Sequence, residues 1–143
     1  MSVPNRLVAL VLESPLHRVL SGTTDLIRYR GHRSGRTFTT PTQYARDGDD
    51  IVILVGRPET KSWWRNFRDD RDIDVLVRGE WLAMTARAVT GQDEPEQVAH
   101  LLEVYLARFP RAARQFSEET AQQQVARAVV VRCHSDRDGA ASR

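Results

Sequence analysis

The sequence predicts an α+β domain in which a curled antiparallel sheet, or a small barrel, is flanked by helices. Two observations carry that reading. Apolar residues follow a helical period towards both ends of the 143-residue chain, while the middle is built of Thr-, Val-, Ile- and Tyr-rich runs cut by glycine-containing turns. The runs follow one another through turns too short for a crossover, which makes neighbours antiparallel. Strands do not alternate with helices as a doubly wound nucleotide fold requires.

Residues 5–20 read as helical, interrupted near Ser14-Pro15, where proline suits a first helical turn. The stretches "TTDLIRYRG" (23–31) and "TFTTPTQYAR" (37–46) read as strands joined by the turn "HRSG", in which Gly35 can take positive φ. "DGDD" marks a second turn, and "IVILVG" after it is a short apolar strand. "KSWWRNFRDD" (61–70) has the length and polarity of a short helix. "IDVLVRGEWLAMTARAVTG" reads as two strands folded about Gly79.

In the next helix Val98, Leu101, Leu102, Tyr105, Leu106 and Phe109 share one face, and Asp93 with Glu96 forms a reciprocal cap. Residues 111–124 read as helical, "ARAVVVRC" as a last strand, and 135–143 as a flexible polar tail.

Composition places all of this in one domain, residues 1–143. A hydrophobic fraction of 41% and a charged fraction of 28% belong to a soluble globular protein. A formal charge of +2 is too small to argue for nucleic acid, and no such partner is expected. Cys133 is the only cysteine, so no intrachain disulfide can form, in keeping with a cytoplasmic protein. The apolar run from Leu7 to Leu12 is too short for a signal peptide or a spanning helix. As an amphipathic helix it leaves peripheral membrane contact open.

Charge is unevenly placed. "RYRGHRSGRTFTTP" (28–41) gathers four arginines and a histidine, with no acid between Asp25 and Asp47. A bound phosphate wants inward N–H groups and forked guanidinium donors, and "GHRSGR" offers both. A solvated hairpin tip would look the same, and the residues alone do not separate the two. The stretch "VGRPETKSWWRNF" adds Arg57 and Lys61 at an expected helix start, where free N–H groups also favour anions. Trp63, Asn66 and Phe67 would share a helical face with Trp64 a quarter-turn away. The tryptophans are either both core, or one walls a flat ligand beside Asn66.

Other chemistry finds little support. The four histidines lack metal-ligand spacing, so no metal is expected. Ser34 is not in a nucleophile elbow, and acid pairs such as Asp69-Asp70 read as surface. No catalytic side chain is assigned.

The ordered motifs G-x-x-S-G-x, T-x-P, D-G-D and W-x-x-N, across about residues 16–90, resemble the deazaflavin-dependent nitroreductase and quinone reductase family of actinobacteria. The resemblance implies an FMN-binding split barrel-like fold, a small antiparallel split β-barrel with peripheral helices. It implies hydride transfer from the 8-hydroxy-5-deazaflavin coenzyme (F-420) to a quinone-like or nitro-aromatic acceptor. Flavin mononucleotide (FMN) is the alternative ligand, and a non-catalytic binding protein the alternative function.

By the same resemblance His32, Arg33, Ser34 and Arg36 would hold the coenzyme's anionic tail, and Thr40 and Pro41 would line its channel. Val55, Gly56 and Arg57 would reach the ring through backbone groups, and Lys61, Trp64 and Asn66 would close the pocket. Both monomer and homodimer fit. The chain departs from the family in its short "GRPETK" loop and in "RFPRAARQF", where some members place substrate-facing tyrosines.

Overall fold

The computed structural model describes residues 24–116 and 119–135. The expected helix at 5–20, and residues 136–143 of the expected tail, lie outside them. Seven strands form one antiparallel sheet: β1 (Thr24–Arg30), β2 (Thr37–Gln43), β3 (Ala45–Asp47), β4 (Asp50–Leu54), β5 (Arg71–Val77), β6 (Glu80–Thr90) and β7 (Val129–Ser135). Their order is β2-β1-β5-β6-β7-β4-β3. Helices α1 (Pro95–Arg108) and α2 (Ala121–Arg127) lie between β6 and β7 in the chain.

The sheet curls until β2, at one edge, approaches β4 near the other. Period-2 alternation then gives it an inside and an outside. Ile27 and Tyr29, Ile51 and Ile53, Ile73 and Val75, Met84 and Ala86, and Val131 and Cys133 fill the inside. Val52, Val89 and Val130 face outward, where Val98, Leu101, Leu102 and Tyr105 of α1 cover them. The helical face read from the sequence is therefore the one buried. This is the α+β split-barrel architecture expected, with helices at its periphery.

Four local expectations are corrected. The strand expected over 37–46 is two: β2 pairs with β1, while β3 pairs with β4 at the opposite edge. Between them Tyr44 enters the inner cluster and Ala45 the outer one, so alternation runs straight through the crossing. The helix expected over 61–70 is a five-residue 3-10 helix, Trp63–Phe67, preceded by a 3-10 turn, Pro58–Thr60.

The Asp93–Glu96 cap does not form. Glu94 is the cap residue of α1 and makes no side-chain cap bond, because its carboxylate pairs with Arg87 at 2.8 Å. Residues 111–124 are not one helix: Pro110–Phe116 is 3-10 and α2 starts at Ala121. There Thr120 and Gln123 make the reciprocal cap.

Candidate functional site

The first hairpin sets one wall. Gly35 (φ 69°) turns the chain between β1 and β2, and Gly31 and Gly35 close the turn through Gly31 N–H to Arg36 O (2.8 Å) and Gly35 N–H to Gly31 O (2.9 Å). The arginines then part company. Arg28 pairs with Asp74 at 3.3 Å and stacks 4.1 Å over Trp81. Arg30 donates to Gly35 O at 3.3 Å, and Arg36 lies 5.8 Å from the centre of the Phe38 ring. His32, Arg33 and Ser34 line a cleft of about 380 Å³, together with Phe38, Arg65, Asn66 and Arg68. Among the described residues no carboxylate lines it.

Two of the sequence motifs meet at this cleft. Asn66 Oδ1 accepts from the His32 backbone N–H at 2.9 Å and lies 2.6 Å from His32 Nδ1. The Asn66 amide in turn donates to Trp63 O at 2.7 Å. The basic turn is thus fastened to the Trp63–Phe67 turn by one amide side chain.

A second cleft, about 610 Å³, opens where β2 approaches β4. Thr40, Pro41 and Thr42 form one side, and Val55, Gly56, Lys61 and Trp63 the other, with Tyr105 of α1 also lining it. Ser62 lines both clefts, which places them on either side of the residue that precedes the Trp63–Phe67 turn. The shortened loop is held taut: Thr60 N–H and Oγ1 both donate to Arg57 O, at 2.9 and 2.8 Å, and Lys61 Nζ donates to Gly56 O. Arg57 takes φ 50°, a left-handed conformation unusual for a side-chain-bearing residue.

Of the expected residues, His32, Arg33, Ser34 and Asn66 gather at the smaller cleft and Thr40, Pro41, Val55, Gly56 and Lys61 at the larger. Arg36, Arg57 and Trp64 line neither. Trp64 is buried, donates its indole N–H to Pro58 O at 2.9 Å, and faces a separate cleft shared with Arg68, Ala88 and Val129. Trp63 takes the cleft-facing place instead. The expected anion site at a helix start is also absent from the fold, since a five-residue 3-10 turn has too few aligned peptides to act as a dipole.

Sequence reasoning did not assign Phe38, Thr42, Arg65 or Arg68 to a site, and read Tyr105 only as part of the helical apolar face. The ring of Phe38 is 39% exposed yet stacks 5.8 Å from Tyr29, which packs against Trp63 and Phe67. An exposed aromatic among arginines was the available signal.

Below the larger cleft lies a buried carboxyl. Asp25 is wholly buried; Thr42 Oγ1 hydrogen-bonds its Oδ1, and among the described residues Oδ2 has no partner. Loss of hydration pushes its pKa up to about 7, against the opposing pull of the Thr42 bond. Burial also raises the Tyr29 and Tyr105 phenols and the Cys133 thiol above their usual ranges. Among the described residues no group of three His, Cys, Asp or Glu is placed to hold a metal, and no helix is long and apolar enough to cross a membrane.

A cleft of about 610 Å³ beside a basic cleft with no carboxylate among its described lining residues is the geometry to set against known proteins. The model of the F420H(2)-dependent quinone reductase family matches residues 12–132. The chain belongs to that family. Relatives from two strains of Mycobacterium tuberculosis, each named a F420H(2)-dependent quinone reductase, are 28% identical over 81 residues, 54% of this chain. The match spans about half the length of those relatives, 54%.

Among solved structures, an F420-H2 dependent reductase (FDR-A) superposes with a TM-score of 0.60 at 16% identity, covering 78% of this chain and 94% of that one. A domain-swapped dimer superposes with a TM-score of 0.59 at 17% identity, covering 92% and 99%. At such identities the likeness shows a shared fold.

Proposed function

We propose that the protein is a deazaflavin-dependent reductase whose acceptor is a quinone. The observation that carries this reading is the pairing of a roomy cleft with a basic one that shares Ser62 as a lining residue. A volume of about 610 Å³ falls within the ~300–1,000 Å³ of small-molecule sites and accommodates a tricyclic ring. The adjoining basic cleft suits a phosphodiester and an oligoglutamate tail.

When bound, the reduced coenzyme supplies the hydride; the residues supply placement and exclude water. Thr40 and Pro41 offer one wall and Trp63 another, while the Val55–Gly56 segment lets a ring edge approach the backbone. Arg33, Arg65 and Arg68 counter the tail's charge, and the His32–Asn66 pair fixes the turn that carries Arg33. Lys61, bonded to Gly56 O, keeps the short loop from collapsing across the channel.

FMN has a similar ring but a single phosphate, so it leaves much of the basic cleft unused. Titration with oxidised coenzyme should quench its fluorescence with a Kd in the micromolar range, tighter than that for FMN. Reduced coenzyme should then be consumed on adding menadione, a water-dispersible naphthoquinone. No binding at tens of micromolar would reject the reading. Binding without turnover across a set of quinones would leave a carrier in place of an enzyme.

A further inference from the structure

Asp25 has no place in coenzyme binding as set out above, yet its surroundings are specific. It sits opposite Thr42 in the β1–β2 register, with its side chain on the inner face. Thr42 both hydrogen-bonds Asp25 and is among the residues that line the larger cleft. A hydroxyl has one proton and two lone pairs, so what it gives one neighbour it withholds from the other. If Asp25 is ionised, the Thr42 proton is held by the carboxylate. If Asp25 is protonated, its O–H can donate to Thr42 Oγ1, and the Thr42 proton is free to turn into the cleft.

We propose that Asp25 is a positioning and proton-supplying residue that acts through Thr42 Oγ1 on the oxygen of an acceptor seated in the cleft. This rests on the reductase reading. A quinone that has taken a hydride carries one negative charge on oxygen. That oxygen takes the Thr42 proton, forming an O–H bond as the Thr42 O–H breaks. Thr42 regains a proton from the Asp25 carboxyl, and the carboxylate is reprotonated from solvent. The electrons come only from the hydride; the pair moves one proton and no charge is left over.

Among the described residues the titratable groups whose proton affinity responds to the Asp25 charge are the Tyr105 phenol on α1 and the Cys133 thiol on β7. Both are held neutral by burial, so neither stabilises the carboxylate as a cation would. A carboxyl in these surroundings, with its pKa near 7, is partly protonated at neutral pH and can act as a donor there.

Three substitutions test the pair: Asp25→Asn, Thr42→Val and Thr42→Ser. With saturating reduced coenzyme and menadione, wild-type kcat should fall about tenfold per pH unit above a midpoint near 7. Asp25→Asn and Thr42→Val should lose that ionisation and run at least tenfold slower at pH 6, and Asp25→Asn, which lies outside the cleft lining, should keep coenzyme Kd within twofold of wild type. Thr42→Ser, which keeps the hydroxyl, should restore the profile.

A second readout needs no turnover. The Asp25 carboxyl stretch, followed by infrared titration, should move to a midpoint at least one pH unit higher when menadione is added. Thr42→Val should abolish the movement. Absence of coenzyme binding and turnover in the wild-type protein would overturn the reductase reading, and the infrared titration would still decide the pair. An Asp25→Asn enzyme with the wild-type pH profile, or a carboxyl midpoint indifferent to menadione, overturns the proposal.

Discussion

A carboxyl enclosed between strands gives up its hydration when it ionises, and at Asp25 the Thr42 hydroxyl and the backbone N–H groups of Asp25 and Thr42 only partly replace it. The consequence for stability has a definite sign. The unfolded chain releases this proton near pH 3.8, while the folded protein keeps it to about 7. Below pH 4 the group is neutral in both states and costs nothing. Between about pH 4 and 7 stability falls by roughly 1.4 kcal/mol per pH unit, to a total of about 4 kcal/mol above pH 7.

Asp25→Asn removes the ionisable group and should remove that slope. In urea unfolding at pH 5 and pH 8, the wild-type protein should lose more stability over the interval than the variant. Equal losses would show that Asp25 is hydrated in the folded protein. A purely structural Asp25 makes the same stability prediction, which is why the proton-supply proposal is tested by the kcat profile and the menadione shift.

Two elements meet backbone to backbone where the β6–α1 turn passes under α2. A Cβ on Gly91 would fall 1.5 Å from the Val125 carbonyl oxygen, and the Gly91 N–H donates to Ala128 O at 3.0 Å. Backbone faces backbone, so no rotamer change relieves the overlap. Gly91→Ala should destabilise by about 3 kcal/mol and lower Tm by on the order of 10 °C, read by calorimetry.

This contact is invisible in the sequence, as is the crossing at Tyr44, because neither interrupts the local pattern. What could be read was periodic: the α1 face, the Gly35 and Gly79 hairpins, and the inward alternation of the strands. At Trp63–Phe67 the period itself was misjudged. A helix of 3.6 residues per turn groups Trp63, Asn66 and Phe67, whereas a 3-10 turn aligns residues three apart. Trp64 and Phe67 are therefore buried together, and Trp63 and Asn66 are left at the clefts. The candidate site was legible as two motifs, and Asn66 joins them across 34 positions of sequence. Which arginine faces a ligand depends on where Asp74, Trp81 and Phe38 stand, and that is settled by pairing between distant strands.

For the molecule as a whole a net charge of +2 conceals a local field. Four of the acids are paired elsewhere: Asp74 with Arg28, Glu94 with Arg87, Asp50 with Arg132 at 2.7 Å, and Glu119 with Arg127 at 2.9 Å. The cleft beside Ser62 keeps Arg33, Arg65 and Arg68 with no acid among its described lining residues. Charges on a surface are screened beyond about 10 Å at 0.1 M salt, and the screening length falls to ~3 Å at 1 M.

Ring binding and tail binding should therefore respond differently to salt. At 50 mM salt the intact coenzyme should bind at least tenfold more tightly than a deazaflavin lacking phosphate and glutamates, a difference of about 1.4 kcal/mol. At 0.5 M the two should agree within about threefold, because the ring's contacts are apolar and screening reaches only the tail. Arg33→Ala should narrow the gap already at low salt. Arg28→Ala should not, since that guanidinium is committed to Asp74 and Trp81, and its loss should cost about 1 kcal/mol of stability instead. Fluorescence titration of both ligands against the three proteins at the two salt concentrations reads every arm. A salt-independent gap, or equal effects of the two arginines, would place the tail outside this cleft.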